Sequence, residues 1–550
     1  MRALRILPMA VALGAFPLAA APQQESALTQ VVDKIVAQEQ VEIQALRQYS
    51  PVVETYIQTL RPDKNLGVVP DGDKYFLGRA ELAKDVELEP LISGTRTKHN
   101  RFSGLGSLFS AEFLPNGFLQ MIYLDTNGFD RQHYKFDYVG REFLGEVRCL
   151  VFDIDPTSKA EKGRFVGRIW VEDQDYHIVR FNGGYSSRSK NSYYLNFDSW
   201  RTNAGKNEWL PSFIYSEEVD NAAVQSFRAQ TRLWSYAPTR AREEQELSKV
   251  LVETPRPVKD QAETGSDYSP LEAKRAWGHQ AEDNVAAKME QLGLMAPYGE
   301  VDKVLETVVN NLDIQPAVRC RILMTSTMES FTMGHTIVLS RGLVDVLPDE
   351  ASLAAILAHE LAHVVLGHRV GAQFAFANRL RFDEKETFHH FGFAHTPEEE
   401  QAATQEGIEL LKKSPYMDHL GNAQLFLEAL NERSKEIPNL VSPHLGNRVA
   451  TGLTSNSAAH TAQASAAKAG GNVIAALPLG GRIKVEPWNN QLQLLKSKPA
   501  GTVAEDEVTP FELTPFVLYL TRQGDSASAD VPSAVSVKTT PDTNLPDIKP

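Results

Sequence analysis

The stretch His359-Glu360-Leu361-Ala362-His363 lies inside a long apolar run from Ala351 to about Phe376. Asp349, just after Pro348, is the expected N-cap of that helix. At 3.6 residues per turn, positions i and i+4 share one face, so His359 and His363 can bind one metal ion together. Glu360 sits beside that face, where its carboxylate can reach a water on the ion. Two imidazoles with oxygen ligands suit zinc. Ala354, Ile356, Leu357, Leu361, Val364, Val365 and Leu366 make the helix apolar nearly all round, hence buried. Histidines and a glutamate on such a helix need partners, because unpaired buried polar groups are costly. The competing reading is two core histidines satisfied by hydrogen bonds.

A third protein ligand is needed. The metzincin pattern would place Gly at 366 and His at 369, but the chain has Leu366 and Arg369, so that class is rejected. His368 is one position out of register and reads as a solvated or supporting histidine. A glutamate from a later helix is the alternative. Thr396-Pro397-Glu398-Glu399 starts such a helix, with Thr as N-cap, Pro at N1 and Glu399 closing a capping box. Glu398 suits the positive end of the helix dipole. Glu400 differs, because it shares a stripe with Ala403, Gly407 and Leu411 that should face the core. A carboxylate there wants a cation, and Gly407 permits close helix approach. Glu400 is therefore assigned as third ligand, against the alternative of a surface glutamate. His389, His390 and His395 are rivals in a Phe/Gly/His loop, read as lining a cleft or binding metal adventitiously.

Outward from this helix, helical patterns run from Pro270 to about Glu436, interrupted by a strand pair near Arg319 to Ser340. From about Lys74 to Pro238 short alternating runs predict an antiparallel sheet, with strands at Phe118–Tyr123, Arg148–Ile154, Arg164–Glu172, His177–Phe181 and Ser192–Phe197. Ser26 to Arg47 has helical spacing. The expected division is a leader at 1–21, a helical segment at 26–60, a β-rich domain at 61–253 and a linker at 254–269. A mainly helical unit carrying the histidine pair at 270–450, a flexible connector at 451–471, a β-rich segment at 472–522 and a disordered tail at 523–550 complete it.

With 550 residues, 42% hydrophobic and 23% charged, the chain is globular in composition and too long for one core. Lys+Arg 56 against Asp+Glu 70 leaves a net charge of -14, a poor match to nucleic-acid phosphates. Arg2, Arg5, the apolar Ile6–Leu18 and Ala19-Ala20-Ala21 read as a cleaved signal peptide, with a retained anchor as the alternative. No cysteine lies nearby for a lipid anchor. The expected location is the periplasm or the exterior. Cys149 and Cys320 allow one internal disulfide at most.

Thr325 to His368 resembles the HtpX, Oma and CAAX-prenyl-protease family of gluzincin metallopeptidases. The matching elements are Glu329-Ser330-Phe331-Thr332, Ile337-Val338-Leu339-Ser340-Arg341-Gly342-Leu343, the acidic step Asp349-Glu350, and His359 to His363. The family's later Glu-x-x-Ala-Asp-x-x-Gly motif resembles Glu400-Gln401-Ala402-Ala403-Thr404-Gln405-Glu406-Gly407. The resemblance implies that Glu400 is the third zinc ligand, and Thr404 stands where the family has a supporting Asp. Glu329-Ser330-Phe331 replaces the usual Asn-Ala-Phe on the strand bordering the substrate cleft, so Ser330, Phe331 and Thr332 are candidate substrate-strand residues. Ser442-Pro443-His444 and Arg448 loosely match a later His-Pro…Arg element, making His444 and Arg448 candidates for transition-state contacts. The resemblance covers about residues 270 to 450. Tyr138–Glu142, Arg148–Phe152 and Gly167–Glu172 resemble the curved sheet of LolA-like lipoprotein carriers.

The fold implied is α+β multidomain: a curved antiparallel sheet, a mainly helical zincin-type unit with a small sheet, and a short β-rich C-terminal segment. The function implied is zinc-dependent hydrolysis of peptide bonds, with one Zn2+ per chain and Glu360 as general base to the attacking water. Unfolded or misassembled envelope proteins are the implied substrates. A lipid- or lipoprotein-binding chaperone with a structural zinc module is the alternative, and a zinc hydrolase of non-peptide substrates is a third.

Overall fold

The computed structural model describes residues 21–64, 67–83, 87–92, 115–126, 128–158, 163–186, 196–205, 207–218, 226–238, 269–312, 318–369, 391–449, 476–495 and 511–522. The expected leader (save residue 21), the linker up to 268, the connector, the tail, and His389 and His390 lie outside them.

Helix α1 (Ala21–Leu46) ends well before residue 60, and strand β1 (Tyr49–Asp63) follows at once. This corrects the expected helical segment at 26–60. The stretch Val52-Val53-Glu54-Thr55-Tyr56-Ile57 is β-branched and aromatic, which suits a pleated, buried surface. Pro51 stands at a register shift between Ser50 and Val52, where a missing N–H costs no ladder bond.

The main sheet has ten antiparallel strands in the order β3-β2-β1-β10-β9-β8-β7-β6-β5-β4. They are β2 (Gly67–Glu81), β3 (Glu87–Pro90), β4 (Tyr134–Leu144), β5 (Val147–Pro156), β6 (Phe165–Glu172), β7 (Ile178–Tyr185), β8 (Asn196–Gly205), β9 (Glu208–Glu218) and β10 (Phe227–Pro238). Residues 192–195 of an expected strand lie outside the described residues, and β8 begins at Asn196. The expected strand at Phe118–Tyr123 is instead helix α2 (Pro115–Gln120) and a turn. Phe118, Leu119 and Ile122 still bury into the core, so the apolar character was read correctly and the backbone was not.

Period-2 alternation gives β1 two apolar faces. Val53 and Ile57 join the core under α1 with Val32, Ile35 and Leu46. Val52 and Tyr56 join a second core that continues into the C-terminal half. The two halves therefore share one packed interior.

In that half, α3 (Pro270–Gln291) and α4 (Glu300–Asn310) precede β11 (Arg319–Leu323), β12 (Glu329–Met333) and β13 (Thr336–Ser340). The expected strand pair is thus three strands, and β14 (Asn447–Arg448) adds a fourth in the order β11-β13-β12-β14. Then come α5 (Arg341–Val346), α6 (Glu350–Leu366), α7 (Pro397–Lys413), α8 (Leu420–Arg433) and α9 (Pro438–Val441). The architecture is α+β, with a large antiparallel sheet first and helices with small sheets later.

The C-terminal segment is less β-rich than expected. Its described ladder is one hairpin of β15 (Ile483–Val485) and β16 (Leu492–Leu494). Elsewhere among its described residues, Leu479 and Leu513 form an isolated parallel bridge, and further contacts tie the segment to the large sheet. Gln58 on β1 donates to the Phe511 carbonyl at 2.8 Å and accepts from Leu513 N at 2.9 Å. Glu146 N donates to the Leu520 carbonyl at 2.8 Å. Cys149 and Cys320 are buried free thiols, and burial pushes the Cys149 thiol up to about 12. No helix among the described residues is long and apolar enough to cross a membrane.

Candidate metal centre

Helix α6 starts where its cap demands. Asp349 Oδ1 accepts from Ser352 N at 2.8 Å and from the Ser352 hydroxyl at 2.7 Å. Every residue from Ala351 to His363 is buried, as an all-round apolar pattern requires. The helix stops at Leu366, and residues 370–376 of its expected extent lie outside the described residues. Gly367 adopts a left-handed φ of +70°, which glycine tolerates best, and its N–H turns back to Val364. That turn returns His368 to the helix, with His368 Nδ1 3.0 Å from His363 Nδ1.

Helix α7 opens on the capping box read from its sequence. Glu399 N donates to Thr396 Oγ1 at 3.3 Å, and Thr396 N donates to Glu399 Oε2 at 3.0 Å. Ala403 and Gly407 face α6. A Cβ on Gly407 would lie 3.2 Å from His359 Cα and 3.3 Å from the Ala358 carbonyl oxygen, so the helices touch backbone to backbone there.

This approach delivers Glu400 to the two histidines. Glu400 Oε2 lies 3.2 Å from His359 Nε2, and Oε1 lies 3.5 Å from His363 Nε2. The two Nε2 atoms are 3.3 Å apart. Bonds of about 2.1 Å to a tetrahedral ion separate its ligands by about 3.4 Å. The two imidazole nitrogens, each facing its own Glu400 oxygen, stand at spacings close to that value, and one donor atom from each of the three residues lies within 4.8 Å of the others. Two imidazoles and a carboxylate also match zinc chemically. Burial raises the Glu400 carboxyl, but hydrogen bonds and charge from His359 and His363 outweigh it and hold it down at about 2.

Glu360 is 4% exposed and held by the small sheet. Thr332 Oγ1 lies 2.7 Å from Glu360 Oε2 and 3.1 Å from the Glu360 backbone carbonyl. The sequence placed Thr332 on a substrate strand and missed this contact. His395 stacks on His363 with ring centroids 3.9 Å apart and an interplanar angle of 16°. Burial and the neighbouring His363 charge lower the pKa of His395, and the same two causes lower that of His368.

The remaining sequence candidates separate. Ser330 pairs with Leu339 on one side and Asn447 on the other, so it offers no free strand edge to a substrate. Among described residues the unpaired edge of β12 is limited to its end at Phe331–Met333, and Phe331 stacks on Phe393 at 4.6 Å. Glu329 accepts from Leu445 N at 3.0 Å and from Thr327 Oγ1 at 2.5 Å, so its departure from the resembled motif serves the loop beside β14. Thr404 donates to the Glu400 backbone carbonyl at 2.9 Å, which spends its hydroxyl on its own helix. His444 lies against Tyr75 with ring centroids 5.3 Å apart, and Arg448 sits exposed on β14 opposite Glu329.

No curated protein matches the chain. Among solved structures it is similar to the complex of Pseudomonas aeruginosa MucA/MucB, at 9% identity over 37% of this chain and 93% of that one, with a TM-score of 0.14. Residues 296–434 match the family model described as Peptidase family M48. This segment, a quarter of the chain, carries His359, Glu360, His363 and Glu400, and it is this segment that is similar to that family.

Proposed function

We propose that the chain is a zinc-dependent endopeptidase that cuts unfolded or misassembled proteins outside the cytoplasm. The observation that carries this reading is the convergence of His359 Nε2 and His363 Nε2, 3.3 Å apart, on the two oxygens of Glu400 at 3.2 and 3.5 Å, beside a separately held carboxylate. His359, His363 and Glu400 are the residues that would hold the ion. When bound there, zinc would supply Lewis acidity to a carbonyl and to the attacking water, whose pKa it would lower toward about 7.

The chain's own groups do the rest. Glu360 takes the proton of the attacking water and returns it to the leaving amine. Thr332 occupies one carboxylate oxygen of Glu360 and leaves the other for that proton. His395, flat on His363, fixes the imidazole plane and keeps water from its face. The end of β12 at Phe331–Met333 offers backbone groups to an extended substrate, giving weak sequence preference. The extracytoplasmic location rests on the N-terminal address, and the lipid or lipoprotein partner rests on the sheet's resemblance alone.

The test incubates reduced casein with zinc-loaded parent and with Glu360→Gln at equal zinc content. Cleavage by the parent alone supports the peptidase. Equal cleavage by both removes Glu360 as base. A zinc-loaded parent that leaves casein intact and carries co-purified lipid favours the binding protein instead.

A further inference from the structure

We propose a second divalent-metal site, formed by His279 and Glu282 of α3 and His335 of the β12–β13 turn, that takes a borderline transition-metal ion such as zinc or nickel. It does not rest on the peptidase reading. Spacing alone does not reveal it, because His335 is far from the other two in sequence.

His279 and Glu282 are three apart on α3, so they share a face. Glu282 Oε2 lies 3.7 Å from His279 Nδ1, and Oε1 lies 3.7 Å from His335 Nδ1. One donor atom from each residue falls within 4.8 Å of the others. The imidazole centroids are 4.8 Å apart. At 3.7 Å neither nitrogen is hydrogen-bonded to the carboxylate. His335 Nδ1 is nevertheless buried, with no hydrogen-bond partner. A polar atom in that state calls for a ligand. An ion with bonds of about 2.1 Å spaces its donors by about 3.4 Å, less than the two 3.7 Å contacts and than the 4.8 Å that encloses one donor of each residue, so the exposed imidazoles would draw in on binding.

The turn is built around the carboxylate. Gly334 has a φ of +62°, and a Cβ there would fall 1.7 Å from Glu282 Oε1. Glu282 Oε2 also accepts from His335 N at 3.1 Å. Glu282 is 12% exposed at the side chain, while His279 and His335 are 50% and 38% exposed, so water can complete the coordination. Two nitrogens and one carboxylate favour zinc, nickel or copper over calcium and magnesium, which prefer all-oxygen sets. The ion would staple α3 to the hairpin whose strand β12 carries Thr332, the donor to Glu360.

The test is equilibrium dialysis of the full chain against zinc chloride, with zinc per chain read by plasma mass spectrometry. Parent is expected to bind one equivalent more than His279→Ala/His335→Ala. His359→Ala/His363→Ala is expected to keep that equivalent. Equal zinc in the parent and in the His279→Ala/His335→Ala variant overturns the site. A measurement on the parent alone guards against misfolded variants. Diethylpyrocarbonate modification of His279 and His335 is mapped by mass spectrometry along a zinc titration. Protection of both at one half-saturation supports a shared ion. Continued reactivity of either, or protection at separate zinc concentrations, overturns it.

Discussion

Arg341 Nη2 donates to Glu54 Oε2 at 2.7 Å, with the two side chains 0% and 2% exposed and the residues 287 apart in the chain. Glu54 belongs to β1 of the large sheet, and Arg341 opens α5 directly after β13 of the small sheet. The same carboxylate accepts from Tyr75 Oη at 2.7 Å and from Ser326 Oγ at 2.6 Å. Desolvating such a pair is costly, and the pair persists because its hydrogen-bonding capacity is filled. Removing one partner strands the other charge. Glu54→Ala is therefore expected to cost about 3–5 kcal/mol, read as a lowered urea midpoint, with earlier proteolysis between the two halves.

On the proposed peptidase reading, the Thr332–Glu360 contact is the one that bears on chemistry. Glu360→Gln is expected to lower kcat by about 100- to 10,000-fold, the usual worth of a general base, at unchanged zinc content. Thr332→Val leaves Glu360 in place without its donor. It should lower kcat with little change in KM, and Thr332→Ser should restore most of it. A Thr332→Val enzyme with normal kcat and raised KM would place Thr332 in substrate binding instead.

Gly407 sets how close α7 comes to α6. Gly407→Ala adds one methyl at 3.2–3.3 Å from the α6 backbone and is expected to be tolerated, since alanine favours helix by about 1 kcal/mol. Gly407→Val adds bulk that the backbone contact cannot absorb. It should push Glu400 away from His359 and His363 and weaken zinc binding by an amount approaching that of Glu400→Ala. Competition with a chromophoric chelator measures this. An unchanged affinity in both would show that Glu400 is not a ligand.

Asp302 makes stability depend on pH. Burial raises its carboxyl from 3.8 to about 6, despite the hydrogen bond from Gly299 N at 2.7 Å. Its Oδ1 is buried without a hydrogen bond, 4.0 Å from Arg321 Nε. The folded state therefore holds this proton more tightly than the unfolded chain. The resulting stabilisation is full below about pH 4 and is lost as pH rises through about 6. Asp302→Asn keeps an acceptor for Gly299 and removes the charge. It should raise stability at pH 7.5 by about 1–2 kcal/mol and give little gain at pH 4. A destabilised variant at pH 7.5 would mean that the Arg321 charge outweighs burial.

Local signals were legible, and they concern helices and their ends. Asp349 capping α6 and the Thr396–Glu399 box opening α7 depend on residues three apart. The histidine pair depends on residues four apart. Stripe reasoning pointed Glu400 toward the core because it shares a face with Ala403, Gly407 and Leu411, and the structure shows that Gly407 on that face meets α6. The failures came where a local pattern was ambiguous. Phe118–Tyr123 is apolar enough for a strand or a buried helix, and packing under the sheet chose the helix. Gly367 ended α6 although the apolar residues beyond it continued the pattern.

The sequence by itself determined what lies within a turn or two of helix: the paired histidines, the adjacent glutamate and the caps. These follow from 3.6-residue geometry and from backbone groups that must be satisfied nearby. Only the tertiary structure decided which distant groups meet. It made Tyr49–Asp63 a central strand, joined Glu54 to Arg341, turned Thr332 onto Glu360, and set His335 beside His279 and Glu282. The Glu54–Arg341 contact joins the large sheet to the C-terminal half, while Thr332 and His335 meet their partners where the small sheet packs on α6 and α3, and no short-range periodicity encodes which buried charge will find which partner.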